Sequence, residues 1–238
     1  MTKEEFINSV KEFNIELTDK KIEELEKYKE ILQEYNKHTN LTRIITDEDI
    51  YLKHFYDSLT ILKAINIGEY ESLIDIGTGA GFPGLVLKIV FPKLNVTLLD
   101  SNNKKTKFLE YVTNELNIKV NIVNERVEDY SKKNINKFDI VTSRAVANLR
   151  VLSEISLPLV KQNGYFIPLK GSIDNELNEA KDTISIMNAE IKKIISFNLP
   201  NDEGIRNILV ILKKELTNFS EIRTYDKILK KPLKKSGK

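Results

Sequence analysis

One stretch limits what this chain can fold into: Leu73-Ile74-Asp75-Ile76-Gly77-Thr78-Gly79-Ala80-Gly81-Phe82-Pro83-Gly84. Apolar and β-branched residues run into three glycines at alternate positions, then into Pro83 and an apolar run from Leu85 to Phe91 with helical spacing. The pattern is a strand, a tight turn and a helix start. Glycines there let the backbone wrap closely round a ligand at the carboxyl end of the strand, and Pro83 suits a first helical turn. Taken alone, the same glycines also fit a plain structural turn. A second strand, Asn95 to Leu99, ends in Asp100, nineteen residues after Gly81. An acid at that place accepts hydrogen bonds from both ribose hydroxyls of an adenosine.

Two cofactors fit a ribose-binding acid, and the glycine spacing separates them. The dinucleotide fingerprint G-x-G-x-x-G needs glycine where this chain has Phe82. Asp75, just before the first glycine, would repel a pyrophosphate and suits an ammonium group instead. S-adenosylmethionine carries an ammonium, a sulfonium and no phosphate, so the pattern favours it over NAD, with Gly77 and Gly79 expected against it.

Composition removes several other classes. The 238 residues suit one large α/β domain with a small appended element, and a 41% hydrophobic content is ordinary for a globular chain. No run of about 18 apolar residues is present, and Met1-Thr2-Lys3-Glu4-Glu5 lacks the apolar core of a signal peptide, so a cytoplasmic location is expected. With no cysteine there is no disulfide, thiolate metal site or cysteine nucleophile, and no metal site is expected. Net charge is only +2, but residues 1–50 carry eight Lys/Arg against thirteen Asp/Glu, and residues 213–238 nine against three. Such asymmetry is compatible with a polyanion on one face, and equally with a solvated lysine-rich tail.

In chain order, Thr2 with Glu5 predicts a capping box on a short helix, and Thr18 caps a second helix whose buried stripe includes Leu25, Tyr28 and Leu32. Thr46 opens a third helix. On it His54, Asp57 and Ser58, three and four residues apart, can aim at one ligand, or can be a hydrogen-bonded helix surface. From Leu73 strands and helices alternate, which predicts a parallel sheet covered on both faces. Arg126-Val127-Glu128-Asp129 follows a third strand on the same rim as the glycine turn, so Glu128 and a backbone amide reach towards an adenine edge. Phe138 to Thr142 delivers Ser143-Arg144-Ala145 to that rim beside the topological switch point, and Arg144 is the strongest substrate candidate, with an ion pair as the plainer reading. A helix from Leu149 to Val160, a fifth strand from Gly164 to Leu169 and a closing hairpin complete the reading. The tail from Lys213 has too few apolar residues to pack by itself.

If S-adenosylmethionine is the cofactor, the acceptor narrows. Ser143-Arg144-Ala145-Val146 is unlike the Asn/Asp-Pro-Pro-aromatic signature of exocyclic amine methylation, and carbon-5 methylation of a pyrimidine needs a cysteine. A ring nitrogen with a free lone pair, such as guanine N7, needs neither activation nor a base. Alignment then does most of the work, with arginines fixing base and phosphates, so no general base is expected. From the residues alone the reading stops at an RNA or other methyltransferase.

At this point the chain resembles the bacterial small-subunit ribosomal RNA guanine-N7 methyltransferases, the glucose-inhibited division protein B family. The resemblance runs through Asn40-Leu41-Thr42, His54-x-x-Asp57-Ser58, the glycine stretch, Leu99-Asp100-Ser101, Arg126-Val127-Glu128, Ser143-Arg144-Ala145-Val146-Ala147, Leu169-Lys170-Gly171 and Lys231-Pro232-Leu233. It implies a class I S-adenosylmethionine-dependent fold, Rossmann-like, with a mostly parallel seven-stranded sheet and an N-terminal helical extension. The expected division is 1–66 for the extension, 67–214 for the core and 215–238 for the basic tail. The expected cofactor residues are Asp75, Gly77, Gly79, Phe82, Asp100, Val127, Glu128 and Arg144. Arg144 and Arg126 would position substrate, and His54, Asp57, Ser58, Lys104, Lys105 and Lys170 are candidate RNA contacts. The implied partner is 16S rRNA or the small ribosomal subunit, met by a monomer without a membrane. The tail departs from the family by lacking a glycine and an extra proline before Lys-x-Pro-Leu, a departure expected to leave the cofactor pocket unaffected. A non-catalytic cofactor-sensing or RNA-binding module is the alternative, and an NAD-dependent oxidoreductase a weaker one.

Overall fold

The structure, a computed structural model, describes residues 1–144, 147–218, 220 and 222–234. Ala145 and Val146 of the motif after the fourth strand, and positions 219, 221 and 235–238 of the tail, lie outside them. Two N-terminal helices form as their caps predict. In α1 (Lys3–Ser9) the Thr2 side chain and Glu5 close a capping box, and Thr18 accepts from the amide of Lys21 at the start of α2 (Asp19–Thr39). Each cap satisfies backbone donors that an isolated helix end leaves open.

The third helical segment departs from expectation. Residues 47–63 form one rod in which α3 (Asp47–Asp49), capped by Thr46, runs into a π-helical stretch, Ile50–Tyr56, then α4 (Asp57–Leu59) and a 3-10 turn, Thr60–Lys63. The wider π winding shows in the bond from the Asp57 amide to the Leu52 carbonyl; His54 and Asp57 nevertheless meet one side chain, Arg144. His54, Asp57 and Ser58 are buried, at 5%, 2% and 0% exposure, and point into the molecule.

Beyond residue 70 the alternating pattern builds one seven-stranded sheet. Its strands are β1 (Ser72–Ile76), β2 (Asn95–Leu99), β3 (Asn121–Val123), β4 (Phe138–Arg144), β5 (Val160–Lys170), β6 (Ala189–Asn198) and β7 (Ile205–Lys213). The order is β3-β2-β1-β4-β5-β7-β6; β7 runs antiparallel to both neighbours, and the other pairs are parallel. Strand order reverses between β1 and β4, which opens a crevice above their carboxyl ends. Side chains alternate between two cores. Leu73, Leu98 and Ile140 meet α2, α5 (Gly84–Val90) and α6 (Asn103–Glu115). Ile74, Leu99 and Val141 meet α7 (Val127–Lys133), α8 (Leu149–Ser156) and α9 (Asp174–Ile186). Because Phe6, Leu25 and Phe55 belong to the first of these cores, the N-terminal helices pack on the sheet.

Two predicted boundaries moved, each for a local reason. The helix expected to reach Val160 ends as α8 at Ser156, because Pro158 in the 3-10 turn Leu157–Leu159 has no amide to continue the ladder. β5 begins at Val160, before the expected Gly164. Val160 pairs with Phe138, and the register resumes only at Ile140 with Tyr165, so the intervening residues bulge, with Asn163 at φ 64. The tail, too poor in apolar residues to pack by itself, packs on the body: α10 (Tyr225–Lys230) buries Ile228 against the second core.

The two central glycines of the turn have different reasons. A Cβ on Gly81, at φ +103, would stand 2.6 Å from the Tyr28 hydroxyl and 3.0 Å from Leu85 Cβ, whereas on Gly79, at φ +64, it would meet nothing within 4 Å. Gly81 is therefore required by packing, and Gly79 borders open space. We expect Gly81→Ala to lower the thermal midpoint far more than Gly79→Ala, whose left-handed backbone costs only about 1–2 kcal/mol. Equal melting shifts in the two variants would contradict this.

Candidate functional site

Everything placed at the switch point hangs from the end of β1. Asp75 is fully buried, and its Oδ2 accepts from the Thr78 hydroxyl at 2.6 Å and from the Gly84 amide at 2.8 Å. One carboxylate oxygen thus ties the strand to the start of α5 across the glycine turn. The other, Oδ1, is buried with no partner among the described residues. Burial pushes the Asp75 carboxyl up to about 7, against the lowering effect of its hydrogen bonds and of Arg144. Tyr28 fixes the turn from outside by donating its hydroxyl to the Ala80 carbonyl. Loss of water raises that phenol well above its ordinary range.

Asp100 ends β2 beside the turn. Its Oδ2 accepts from the Gly79 amide at 3.0 Å and its Oδ1 from the Asn102 amide at 2.9 Å, which aims the carboxylate along the rim. Gly77, Asp100, Arg126, Val127, Glu128 and Tyr225 border a cavity of about 190 Å³ over the ends of β1, β2 and β3. Arg126 donates to Glu128 Oε1 at 3.1 Å, a bond that raises the arginine's own pKa, and Glu128 Oε2 is buried without a partner among the described residues. A buried acceptor left open beside a cavity is a place for a ligand donor. These features fit an adenosyl group: a ribose-facing acid, a glycine that leaves room for a close approach, and an open acceptor towards the base.

Phe82 does not border that cavity. Its ring is stacked between Tyr28, 5.4 Å away at 18°, and His54, 4.1 Å away at 7°, with the Arg144 guanidinium 5.2 Å from its centroid. Arg144 is held on three sides. Nη1 donates to the Lys53 carbonyl at 2.7 Å and to Asp57 Oδ2 at 3.0 Å, and Nη2 meets His54 Nδ1 at 3.0 Å. Burial, then the charge of Arg144, depresses His54 to about 3, so the ring is neutral. Nδ1 therefore accepts from Arg144, and the network assigns the proton to Nε2, which donates to Thr42 Oγ1 at 3.2 Å. The one histidine near the site has spent its lone pair and is unable to act as a base.

Arg144 faces a second cavity, about 360 Å³, over the ends of β4 and β5, shared with Ile44, Lys53, Asp57, Lys170 and Arg206. Arg206 donates Nε to Asp57 Oδ1 at 2.9 Å, so one buried carboxylate holds two guanidiniums at the cavity wall. Lys170 Nζ, bonded to the Ala147 carbonyl at 2.7 Å and to Glu176 at 2.8 Å, also lines it.

The expected residues are thus distributed unevenly. Gly77, Asp100, Arg126, Val127 and Glu128 meet at the first cavity, Asp57, Arg144 and Lys170 at the second. Asp75, Phe82 and His54 lie beneath both, buried. Ser58 is fully buried and donates to the His54 carbonyl at 2.5 Å, with no route to an external RNA. Lys104 is exposed on α6, and Lys105 lies 3.5 Å from Asp100. Sequence reasoning missed Arg206, Lys53 and Tyr225, none of which stands in a local motif. The tail reaches this region too, through Tyr225 at the wall of the first cavity. Among the described residues no cluster of three or more acids and histidines is placed to hold a metal ion, and no helix is long and apolar enough to cross a membrane.

With this geometry in place, comparison with known proteins is informative. Residues 21–208 match the family described as GidB, rRNA small subunit methyltransferase G. A protein called ribosomal RNA small subunit methyltransferase G from Lactococcus lactis subsp. cremoris is 43% identical over 98% of this chain and 100% of its own. Others of that name from Bacillus velezensis (44%; 91% and 92%) and Clostridium botulinum (42%; 97% and 100%) are similar. The fold is shared with YcgJ of Bacillus subtilis (TM-score 0.52, 15% identity, 68% of this chain and 100% of that one). It is shared too with M. jannaschii TYW2 in complex with AdoMet (TM-score 0.51, 13% identity, 63% and 70%).

Asp75 and His54 shift in ways that oppose each other with pH. Asp75, raised to about 7, contributes stability that is full below about 4 and is lost as pH rises through 7. His54, depressed to about 3, contributes stability present above about 6.5 and lost as pH falls towards 3. Between about pH 4 and 6.5 the two cancel. Chemical denaturation across this window is expected to show wild type minus Asp75→Asn falling with pH, and wild type minus His54→Gln rising. Each slope approaches about 1.4 kcal/mol per pH unit for one proton. Flat difference curves would refute the assignment.

Proposed function

This chain belongs to the GidB family, rRNA small subunit methyltransferase G, and we propose that it transfers a methyl group from S-adenosylmethionine to N7 of a guanine in 16S rRNA. It is an S-adenosylmethionine-dependent methyltransferase with the class I fold. When bound, the cofactor supplies an electrophilic methyl group on a sulfonium centre. The chain's own residues divide the remaining tasks between two adjoining cavities. Asp100 accepts from the ribose, Glu128 Oε2 takes a donor of the base, and the Gly77–Gly79 backbone admits the chain of the cofactor. Asp75 Oδ1, uncompensated in the interior, adds negative potential beneath a ligand that carries two positive charges.

The observation that carries the acceptor assignment is the state of Arg144 and His54. The neutral imidazole is committed to Arg144 through Nδ1 and to Thr42 through Nε2, and the Asp57 carboxylate is committed to two arginines, so neither group is free to take a proton from the acceptor. An acceptor nitrogen with a free lone pair loses none on methylation. Guanine N7 meets this condition, and the neighbouring O6, whose lone pairs the reaction does not use, is an acceptor that an arginine can hold while N7 stays free for the methyl group. Arg144, pre-oriented by three partners, and Arg206, on the same carboxylate, are in place for that role; catalysis is then positioning and desolvation.

Small-subunit RNA as partner, a cytoplasmic site of action and a monomeric enzyme complete the proposal, with residues 1–66, 67–214 and 215–238 as its three parts. Exposed Lys104 and the basic tail supply phosphate contacts. Incubation of small-subunit RNA with labelled cofactor should place the label at a guanine N7, detected as a strand break after borohydride and aniline treatment; label on an exocyclic amine or a carbon would overturn the acceptor assignment. Arg144→Ala is expected to abolish transfer while cofactor affinity stays within about threefold, because Arg144 lies on the second cavity. Loss of both to the same degree would move Arg144 to the cofactor. Transfer should also weaken steeply with salt as phosphate contacts release counterions, and a salt-independent rate would remove the lysines from the RNA surface.

A further inference from the structure

The C-terminal tail is held to the body at three points. Arg223 grips Glu154 of α8 with two nitrogens of its guanidinium, Nη2 to Oε2 at 2.7 Å and Nε to Oε1, and donates Nη1 to the Lys231 carbonyl at 2.7 Å. Glu154 is 3% exposed, so this paired fork replaces the water that its carboxylate gave up. Arg150 donates to the Ile228 carbonyl at 3.0 Å, and Ile228 itself is 2% exposed. These contacts fix both ends of α10 against α8, which forms the wall of the first cavity through Ile155.

The result is a specific place for Tyr225, the first residue of α10. Its ring lies 4.9 Å from the Arg126 guanidinium carbon, and Arg126 in turn holds Glu128. Tyr225, Arg126 and Glu128 border the cofactor cavity on one side and, on the other, an outer groove of about 340 Å³ that also includes Thr224 and Asp226. The tyrosine and arginine together are the partition between the interior and solvent. Without Tyr225 the adenosyl end of the cavity opens into that groove, and Arg126 loses the aromatic face that orients it.

We propose that Tyr225 is a cofactor-contacting residue that closes the adenosyl end of the cavity, with Arg223 and Glu154 acting through it as a positioning pair. The C-terminal segment is then part of the cofactor site, not an appendage, and docking of the tail and retention of the cofactor favour each other. This rests on the placement of S-adenosylmethionine in the cavity bordered by Asp100 and Glu128.

Calorimetric titration of the full-length protein with S-adenosylmethionine tests both levels. Tyr225→Ala should weaken binding by about tenfold or more, and Tyr225→Phe, which keeps the ring, should stay within about threefold of wild type. Arg223→Gln should raise KM for the cofactor with little change in kcat, a split that a mere loss of folded protein would not give. The chain contains no tryptophan, so Tyr225→Trp places a single indole emitter at the wall, and its fluorescence should change saturably with cofactor. Tyr225→Ala binding as tightly as wild type, or indole emission from the Tyr225→Trp variant unmoved by saturating cofactor, overturns the role of the tail. If Asp100→Asn also binds as tightly as wild type, the placement of the cofactor in this cavity is wrong, and the proposal falls with it.

Discussion

A single buried carboxylate oxygen, Asp75 Oδ2, determines the shape of the rim. By accepting from Thr78 and Gly84 together it joins the last turn of β1 to the first amide of α5, and the intervening residues have only one compact way to run between them. An ionised carboxylate in such surroundings is costly unless its lone pairs are used, and one oxygen is left unused. Burial accordingly pushes this carboxyl up to about 7, and a cation placed nearby would favour its charged form. Interior strain and ligand preference have the same origin. A pyrophosphate over this turn would face the same charge with the wrong sign.

The second dependence runs from the N-terminal helices into the site. Arg144 reaches the rim on β4, but every group that orients it comes from the rod of residues 47–63: the Lys53 carbonyl, Asp57 and His54. Three residues apart, His54 and Asp57 lie on neighbouring sides of the rod and both reach one guanidinium, while Phe55 and Tyr51 remain in the core. Phe82, from the glycine turn itself, is stacked on His54, so the cofactor turn and the arginine are mechanically one unit. Removing the helical extension would strip the rim of its alignment even if the sheet survived.

Local patterns were readable and long-range ones were not. The glycine turn, Asp100, the alternating strands, the caps at Thr2, Thr18 and Thr46 and the closing hairpin each announce themselves within a dozen residues, because periodicity and capping are local chemistry. The spacing of His54, Asp57 and Ser58 puts them on one side of a helix, but nothing local says whether that side meets ligand, solvent or core; here it is buried, with His54 and Asp57 on Arg144. Arg206 meets Asp57 across 149 residues, and Tyr225 meets Arg126 from the far end of the chain. Nothing near either residue distinguishes it from other arginines and tyrosines in a charged chain. The tail looked unable to pack because its apolar residues are few. It packs through arginines instead, and Arg223 on Glu154 is invisible to any count of hydrophobic side chains.

These three features account for how a site without a base can be selective. When no proton has to move, the barrier is set by how well the acceptor lone pair is held in line with the methyl group, and holding requires rigid walls on every side. In the proposed reading the walls come from separate parts of the chain: the glycine turn beneath, the rod of residues 47–63 and Arg206 around the second cavity, and the tail at the first. Each is fixed by buried polar contacts with defined directions, where apolar packing alone would tolerate small slips. Because Asp57 bonds both Arg144 and Arg206, a displacement of either guanidinium is felt by the other through one carboxylate. Recognition of the acceptor edge and alignment of the reacting nitrogen thus share a single support, and an acceptor that fails to engage both arginines is also one that is poorly aligned for transfer.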